Sequence, residues 1–466
     1  MFRSIASTLS NCFKIPELKS RILFTLGLLA VARLLAVIRI PGLNGDALSK
    51  YFASQSQGNG GLLGMYNTFA GGAYEHCAIG SLGIMPYISA TIIIQLLTAV
   101  VPRLSKMVRE EGGRTQVIKY GRYLTVLLCI GQGIYFAGSW LHPQSGGVLA
   151  GLNESLVDPN ANRMLYYFVT VLVMTAGTML LMWLGEQITE RGIGNGVSLI
   201  ITIGILARLP NAANAAWNMF SPGNGGEATH HWQGTGLILL LLMVGVVGVV
   251  IAITQAQRKI PVQYAQRAVG RKMYAGGSSF MPLRVNYAGV MPIIFASSIL
   301  MFPQPLFTWL SINGPLFMRD MCSSVATQLG SGSWLYLIVY AAMILFFSYF
   351  WVATQFNEIQ IADDLKKNGG YIPGVRPGQG TSDYLHHAMS RITLAGAIFL
   401  TVIATIPIIL SKQLDIPQDV ASFFGGTSML IAVGVLLDTM RQIESHLMMR
   451  HYDGFLKKGR IRGRFS

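Results

Sequence analysis

Six basic side chains fall between Gln255 and Arg284: Arg258, Lys259, Arg267, Arg271, Lys272 and Arg284, with no acid among them. The chemistry open to such a run is anion binding, to nucleic-acid phosphates or to a lipid headgroup surface. Long uncharged segments flank it, Trp232–Gln257 before and Val285–Met318 after. A purely basic loop between apolar segments reads as a cytoplasmic surface that meets a large anionic partner.

No other residues form a catalytic constellation. The dipeptide Gly-Lys never occurs, which excludes a P-loop. His230-His231 and His386-His387 read as solvated loop histidines, with no carboxylate or cysteine at ligand spacing. Cys12, Cys77, Cys129 and Cys322 are scattered without C-x-x-C spacing and read as unpaired. Gly192-Ile193-Gly194-Asn195-Gly196 is glycine-rich, but it opens an apolar helix instead of following a strand, so it does not imply nucleotide binding. The expectation is a protein that is not an enzyme and holds no cofactor or metal.

The elements that must position the basic loop are membrane helices. Only 12% of the 466 residues are charged, and mean hydropathy is +0.48. Several uncharged runs exceed the roughly 18–20 residues of a transmembrane helix. Ten helices are expected, at about 22–42, 79–100, 122–140, 164–186, 194–209, 235–256, 286–303, 334–355, 391–410 and 424–443. The fifth is short, and charge placement argues for it. Basic clusters at Arg103–Arg122, Arg258–Arg284 and Arg450–Arg464 belong on the cytoplasmic side, so four helices must separate the first two. Both termini are then cytoplasmic. Of the 35 Lys and Arg, 28 lie in cytoplasmic segments, Arg33 and Arg39 in the first helix, and only Lys50, Arg163, Arg208, Arg319 and Lys412 in outer loops. Ala30-Val31-Ala32 resembles a signal-peptidase site. The apolar run continues past Arg33 to Ile40, so the segment reads as a retained helix. The outer loops at 143–161 and 211–231, rich in Gly, Asn and Pro, read as simple connections.

Five helices per half is odd, so a duplicated chain needs an inverted second half. Gly83-Ile84-Met85-Pro86-Tyr87-Ile88 echoes Gly289-Val290-Met291-Pro292-Ile293-Ile294. Gly196-Val197-Ser198-Leu199-Ile200-Ile201 echoes Gly426-Thr427-Ser428-Met429-Leu430-Ile431. Both matches pair the helices that inversion requires, second with seventh and fifth with tenth. Within the spans the ionisable groups are few. Arg33 and the off-centre Asp438 are expected to face protein, water or an interface. Gly60–Gly80 is apolar, glycine-rich and too short to span. It is either a surface loop or a half-helix folded back into a cavity, where irregular backbone is tolerated.

Longer motifs carry a family resemblance. Trp183-Leu184-Gly185-Glu186-Gln187-Ile188-Thr189-Glu190-Arg191 continues into Gly192–Gly196 and resembles the SecY protein-translocation family. So do Gly83–Ala90, Arg258-Lys259-Ile260-Pro261-Val262-Gln263-Tyr264, Tyr371-Ile372-Pro373-Gly374-Val375-Arg376-Pro377-Gly378 and Phe424-Gly425-Gly426-Thr427-Ser428, in family order over nearly the whole chain. The resemblance implies an all-α polytopic membrane protein, a clamshell of two inverted five-helix halves. These are 1–210, with a plug at about 62–73, and 211–466, with cytoplasmic docking loops at 255–286 and 356–390.

By motif matching the pore ring is Ile84, Ile88, Val197, Ile201, Ile294 and Ile431. Val197 stands where the family more often has Ile, so the ring is expected to be slightly wider here. Spacing agrees, because Ile84 with Ile88 and Val197 with Ile201 are i,i+4 pairs on one helix face. An apolar ring can dewet and block ions while offering a passing peptide nothing to bind. The plug would include Leu62, Leu63, Gly64, Met65, Tyr66 and Phe69; a lateral gate would have Ser89 and Phe302 near its seam. Arg258, Lys259, Arg267, Arg271, Lys272 and Arg376 would dock the ribosome or the SecA ATPase. Further implied partners are SecE-like and SecG-like small subunits, a YidC-like insertase, signal sequences and nascent chains, and anionic lipids. The implied site is the bacterial cytoplasmic (inner) membrane. Two other readings stay open: a secondary transporter of a small solute, and a membrane scaffold without a pore. The lack of midplane carboxylates speaks against the first, and the apolar ring against the second.

Overall fold

The structure is a computed structural model describing residues 15–55, 61–110, 112–141, 156–157, 162–220, 233–264, 267–269, 272–274, 278–300, 303–330, 333–413, 420 and 427–458. The chain divides into two compact units, Met1–Asn214 with Val435–Ser466, and Ala215–Gly434.

In the first unit, α1 (Pro16–Leu35) starts on a proline, whose fixed φ suits the first helical position, and sets Glu17 at the positive end of the helix dipole. Two short helices follow, α2 (Gly45–Gln55) and α3 (Gly61–Phe69). Next come α4 (Met85–Val100) and α5 (Pro102–Arg109), which meet at a 104° bend. Pro102 causes it: the residue before a proline is driven out of the helical region, and Val101 takes φ −93°, ψ 110°. On α5, Arg103 and Lys106 are exposed while Leu104 and Met107 are half-buried, the pattern of a helix lying along an interface. α6 (Gly113–Leu141) packs on α7 (Arg163–Arg191). Asn162 caps α7 by accepting the Met164 N–H at 3.2 Å, and Asn195 caps α8 (Gly196–Ala207) by accepting that of Ser198 at 3.2 Å. α9 (Leu209–Phe220) follows.

The second unit begins with α10 (Gln233–Gln255) and the strands β1 (Gln257–Tyr264), β2 (Arg267–Val269), β3 (Lys272–Tyr274) and β4 (Ser278–Arg284). α11 (Met291–Leu300), α12 (Pro303–Asn313), α13 (Leu316–Gln328), α14 (Trp334–Gln355) and α15 (Glu358–Lys367) lead to β5 (Gly370–Tyr371) and α16 (Gln379–Gln413). The last helix, α17 (Thr427–Lys458), starts in this unit and from Val435 belongs to the first.

A helix overlaps each of the ten expected spans, although the first, expected to reach residue 42, ends at Leu35 and leaves Arg39 outside it. Among the described residues, five stretches are long and apolar enough to cross a membrane alone: Thr115–Leu141, Arg163–Arg191, Gly196–Asn214, Trp334–Lys367 and Gln379–Ile406. The bent pair α4–α5 would make a sixth. The first echo has a matching local geometry. Gly83 and Gly289 take φ +59° and +63°, and α4 and α11 each begin two residues later on Met-Pro.

Three expectations need correction. The second span, expected from residue 79, becomes helical only at Met85, because Ala70–Ile84 is spent on turns and Gly83 is left-handed. The loop at 211–231 is not a simple connection throughout, since α9 runs to Phe220. Ala212, Ala213, Ala215 and Ala216 outweigh its asparagines. His386 and His387 lie on α16 instead of in a loop, and His386 Nδ1 is 3.0 Å from Glu358 Oε1 on α15. His230, His231 and Cys12 lie outside the described residues; Cys77, Cys129 and Cys322 are free and buried.

Candidate functional site

The segment expected to close a pore is α3 and the turns after it. Leu62, Leu63, Gly64 and Met65 lie on α3. Tyr66 and Phe69, near its end, are buried. The Tyr66 ring packs 5.0 Å from Phe136 and 5.7 Å from Tyr74, and Tyr74 packs 5.5 Å from Trp140. Just past α3 the chain turns at Gly71 and Gly72, both left-handed at φ +68° and +83°. Gly71 lies against the backbone of α8: a Cβ on it would come within 2.9 Å of Gly204 Cα. The half-buried Arg33 donates from Nη1 to the Gly71 carbonyl at 2.9 Å, which answers where this intramembrane cation points.

Polar groups fix the other side of α3. Asn67 donates from Nδ2 to Glu75 Oε2 at 2.6 Å, and the Glu75 N–H returns to Asn67 Oδ1 at 3.3 Å. Arg208, at the end of α8, donates to Thr68 Oγ1 at 2.8 Å and to Glu75 Oε2 at 3.3 Å. The turns themselves are stitched to the chain after α1, through Ile40 N–H to Cys77 O at 2.9 Å and Ile79 N–H to Ile38 O at 2.9 Å. Burial pushes the Cys77 thiol up to about 12. Nearby, Arg39 and Asp46 pair in the open at 2.7 Å, and the guanidinium hydrogen bond holds the Asp46 carboxyl below its usual range.

Among the ring candidates, Ile84 and Ile88 lie at the start of α4, Val197 and Ile201 on α8, Ile294 on α11 and Ile431 on α17. All are buried except Val197, which is half-buried. Ser89 is buried on α4 and donates to Met85 O at 3.0 Å; Phe302 lies outside the described residues. The glycine stretch before α8 is a junction. Thr25 on α1 accepts the Ile193 N–H at 3.1 Å, Gln442 on α17 accepts that of Gly194 at 2.8 Å, and Thr189 accepts that of Gly196 at 2.9 Å. Gly194 is left-handed at φ +86°.

The two loops expected to dock partners fold together. β4, β1 and β5 form one antiparallel sheet, in that order, so the loop before α11 and the loop before α16 share strands. Tyr371 donates to Gln263 Oε1 at 3.0 Å across it. The inner face packs Ile260, Leu283 and Ile372 against Phe356, Leu385 and Met389. On the outer face, register aligns Lys259 with Pro282, Pro261 with Phe280 and Gln257 with Arg284, which groups two cations with an exposed aromatic ring. Arg258, Lys259 and Arg376 are exposed. Arg267 and Lys272 lie on the β2–β3 hairpin, and Arg271 lies outside the described residues.

Sequence reasoning gave no role to Glu75, Thr25 and Gln442, placed Asn67 and Thr68 in the plug range without a role of their own, and read Arg208 only as an outer-loop charge. One signal was available: Glu75 is the only acid in Gly60–Gly80.

A short helix held beside long apolar spans, with a folded basic sheet between them in sequence, defines a polytopic helical membrane protein. Residues 78–440 match the SecY family profile. The chain is 44% identical to "Protein translocase subunit SecY" of Chlamydia muridarum (strain MoPn / Nigg) over 464 residues, 98% of this chain and 100% of that one. It is similar in fold to a solved channel described by the plug domain of the SecY protein stabilising its closed state and maintaining a membrane seal, with TM-score 0.60, 18% identity and 92% of each chain covered. Sec61 in the canine ribosome-channel complex from the endoplasmic reticulum gives TM-score 0.56 at 17% identity, again with 92% of each chain. The chain belongs to the SecY family and is a multi-pass membrane protein.

Proposed function

We infer that the chain is the pore-forming subunit of a protein translocase, a passive channel and not an enzyme. The observation that carries this reading is the full-length similarity to translocase subunits, at 44% identity over 98% of the chain. Unfolded secretory chains cross through a constriction of Ile84, Ile88, Val197, Ile201, Ile294 and Ile431, all buried or half-buried. Apolar walls suit this work, because they exclude water and ions yet give a moving peptide no polar group to bind. α3 with the turns after it is the plug. The segments 1–210 and 211–466 act as two halves, and membrane helices leave sideways past Ser89 and Phe302.

Energy comes from a docked partner, the ribosome or the SecA ATPase. The exposed Arg258, Lys259 and Arg376, with Arg267, Arg271 and Lys272, supply cations for ribosomal phosphates or an acidic motor surface. SecE-like and SecG-like subunits complete the complex. Charge placement supports a bacterial cytoplasmic membrane setting with both termini inside.

The test is a photocrosslinker at Ile294 in the assembled channel, presented with a stalled secretory chain. Crosslinks to the chain are expected. Efficient crosslinking to lipid or neighbouring helices alone would overturn the channel reading.

A further inference from the structure

Glu75 and Arg208 are 133 residues apart in the chain, yet their side chains meet beside α3. The network they form has a consistent donor at every link. Arg208 Nη2 donates to Glu75 Oε2 at 3.3 Å, and Nη1 donates to Thr68 Oγ1 at 2.8 Å. Thr68 spends its own hydroxyl proton on Gly64 O at 2.9 Å, which leaves an oxygen lone pair for the guanidinium. Asn67 supplies Glu75 with a further donor at 2.6 Å. Two consecutive residues in the last turn of α3 are thus fastened by two charges that belong to other elements.

Burial decides how much this matters. The Glu75 and Arg208 side chains are only 14% and 16% exposed. A fully solvated pair would contribute little. A shielded pair behaves differently, because removing one partner strands the other charge away from water. Apart from the Arg33 hydrogen bond to Gly71 O, which holds the turn beyond α3, the remaining contacts named for this segment are not directional in the same way. Tyr66 meets rings at Phe136 and Tyr74, and Gly71 meets Gly204 backbone to backbone. Such contacts tolerate sliding, whereas the charged network fixes position and register.

We propose that Glu75 and Arg208 are positioning residues of the plug: with Asn67 and Thr68 they tether α3 in the closed position, and opening requires that tether to break. The proposal rests on reading α3 as the plug, and the experiment separates the two claims. The full chain, assembled with its small partner subunits, is placed in planar bilayers and its resting ion conductance is measured. The variants are Glu75→Gln, Arg208→Gln, the reversed pair Glu75→Arg/Arg208→Glu, Thr68→Val, and deletion of residues 62–69 as the reference for an unplugged channel.

Each single charge variant is expected to raise the open fraction about tenfold or more, and the reversed pair to close it again. Closure by the reversed pair is an outcome that a merely misfolded single variant could not give. Thr68→Val leaves both charges paired and should leak to an intermediate degree. If the charge variants fail to insert, Thr68→Val decides, with leak supporting the tether and tightness overturning it. A leaking deletion with tight single variants overturns the tether alone. A tight deletion overturns the plug reading and the tether with it.

Discussion

Gln442 on α17 accepts the backbone N–H of Gly194 at 2.8 Å, from 248 residues further along the chain. The bond ties the C-terminal helix to the turn from which α8 starts, two residues before Gly196. Thr439, one turn earlier on α17, lies against the same glycine, since a Cβ on Gly194 would come within 3.1 Å of Thr439 Oγ1. Val197 and Ile201 therefore sit on a helix whose base is held by α17.

Replacing Gln442 with Leu should cost about 0.5–1.5 kcal/mol, because the Gly194 N–H loses its acceptor in a part-buried bond. Gly194→Ala should cost about 1–3 kcal/mol through its left-handed φ of +86°, with added crowding from Leu199 Cδ1 at 2.9 Å. Thermal unfolding of the purified protein in detergent checks both. An unchanged midpoint for Gln442→Leu would mean that the bond is not formed in the protein.

This turn shows what was legible in the sequence and what was not. Gly192–Gly196 could be read as the opening of a membrane helix, and the charge count required that helix although it spans only Gly196–Ala207. The reasons for its glycines could not be read, because Thr25 and Gln442 lie far away in sequence. The same limit hid the contact between Glu75 and Arg208, since hydropathy sees them only as isolated charges. The sheet was missed for a different reason. Ile260 and Val262 alternate with polar neighbours as in a strand, but Pro261 between them and the basic flanks made the segment read as loop.

Cys77 offers a direct probe of whether the turns after α3 stay packed. It is fully buried, and its thiol is pushed up to about 12, so little thiolate exists near neutral pH. In a variant carrying Cys12→Ser, Cys129→Ser and Cys322→Ser, maleimide labelling at pH 7 should be roughly a thousandfold slower than for an exposed cysteine. Raising the pH toward that value should speed it. Rapid labelling at pH 7 would contradict the packed arrangement.

Gly204 faces a sharper steric limit. A Cβ there would sit 3.2 Å from Gly71 Cα, a distance that small shifts can relieve, while the branched methyls of Val have no such room. Gly204→Ala should therefore be mild, and Gly204→Val should push the Gly71 turn off α8. In the Cys77 background, Gly204→Val should raise the labelling rate about tenfold, as overpacking of one to a few kcal/mol implies. Equal rates in native and Gly204→Val proteins would show that the turn does not rest on α8.

The sheet proposed to dock partners separates two kinds of residue that sit next to one another on β1. Ile260 points into the core beneath the sheet and is 1% exposed, while Arg258 and Lys259 are exposed. Ile260→Ala should thus loosen both loops at once, costing about 2–5 kcal/mol, because β1 pairs with β4 on one side and β5 on the other. Arg258→Glu and Lys259→Glu should leave the fold intact and weaken ribosome binding. The salt dependence of binding discriminates between the two effects. Removing a cation that neutralises one phosphate should lower the slope of log affinity against log salt by roughly one unit, whereas a disordered platform would bind more weakly at every salt concentration. Arg376 follows the same logic from the second loop, where it is exposed between β5 and α16. Reversing its charge should abolish partner-driven translocation in a protein that still inserts. Unchanged translocation with Arg376→Glu would remove it from the docking surface and leave β1 to carry the interaction.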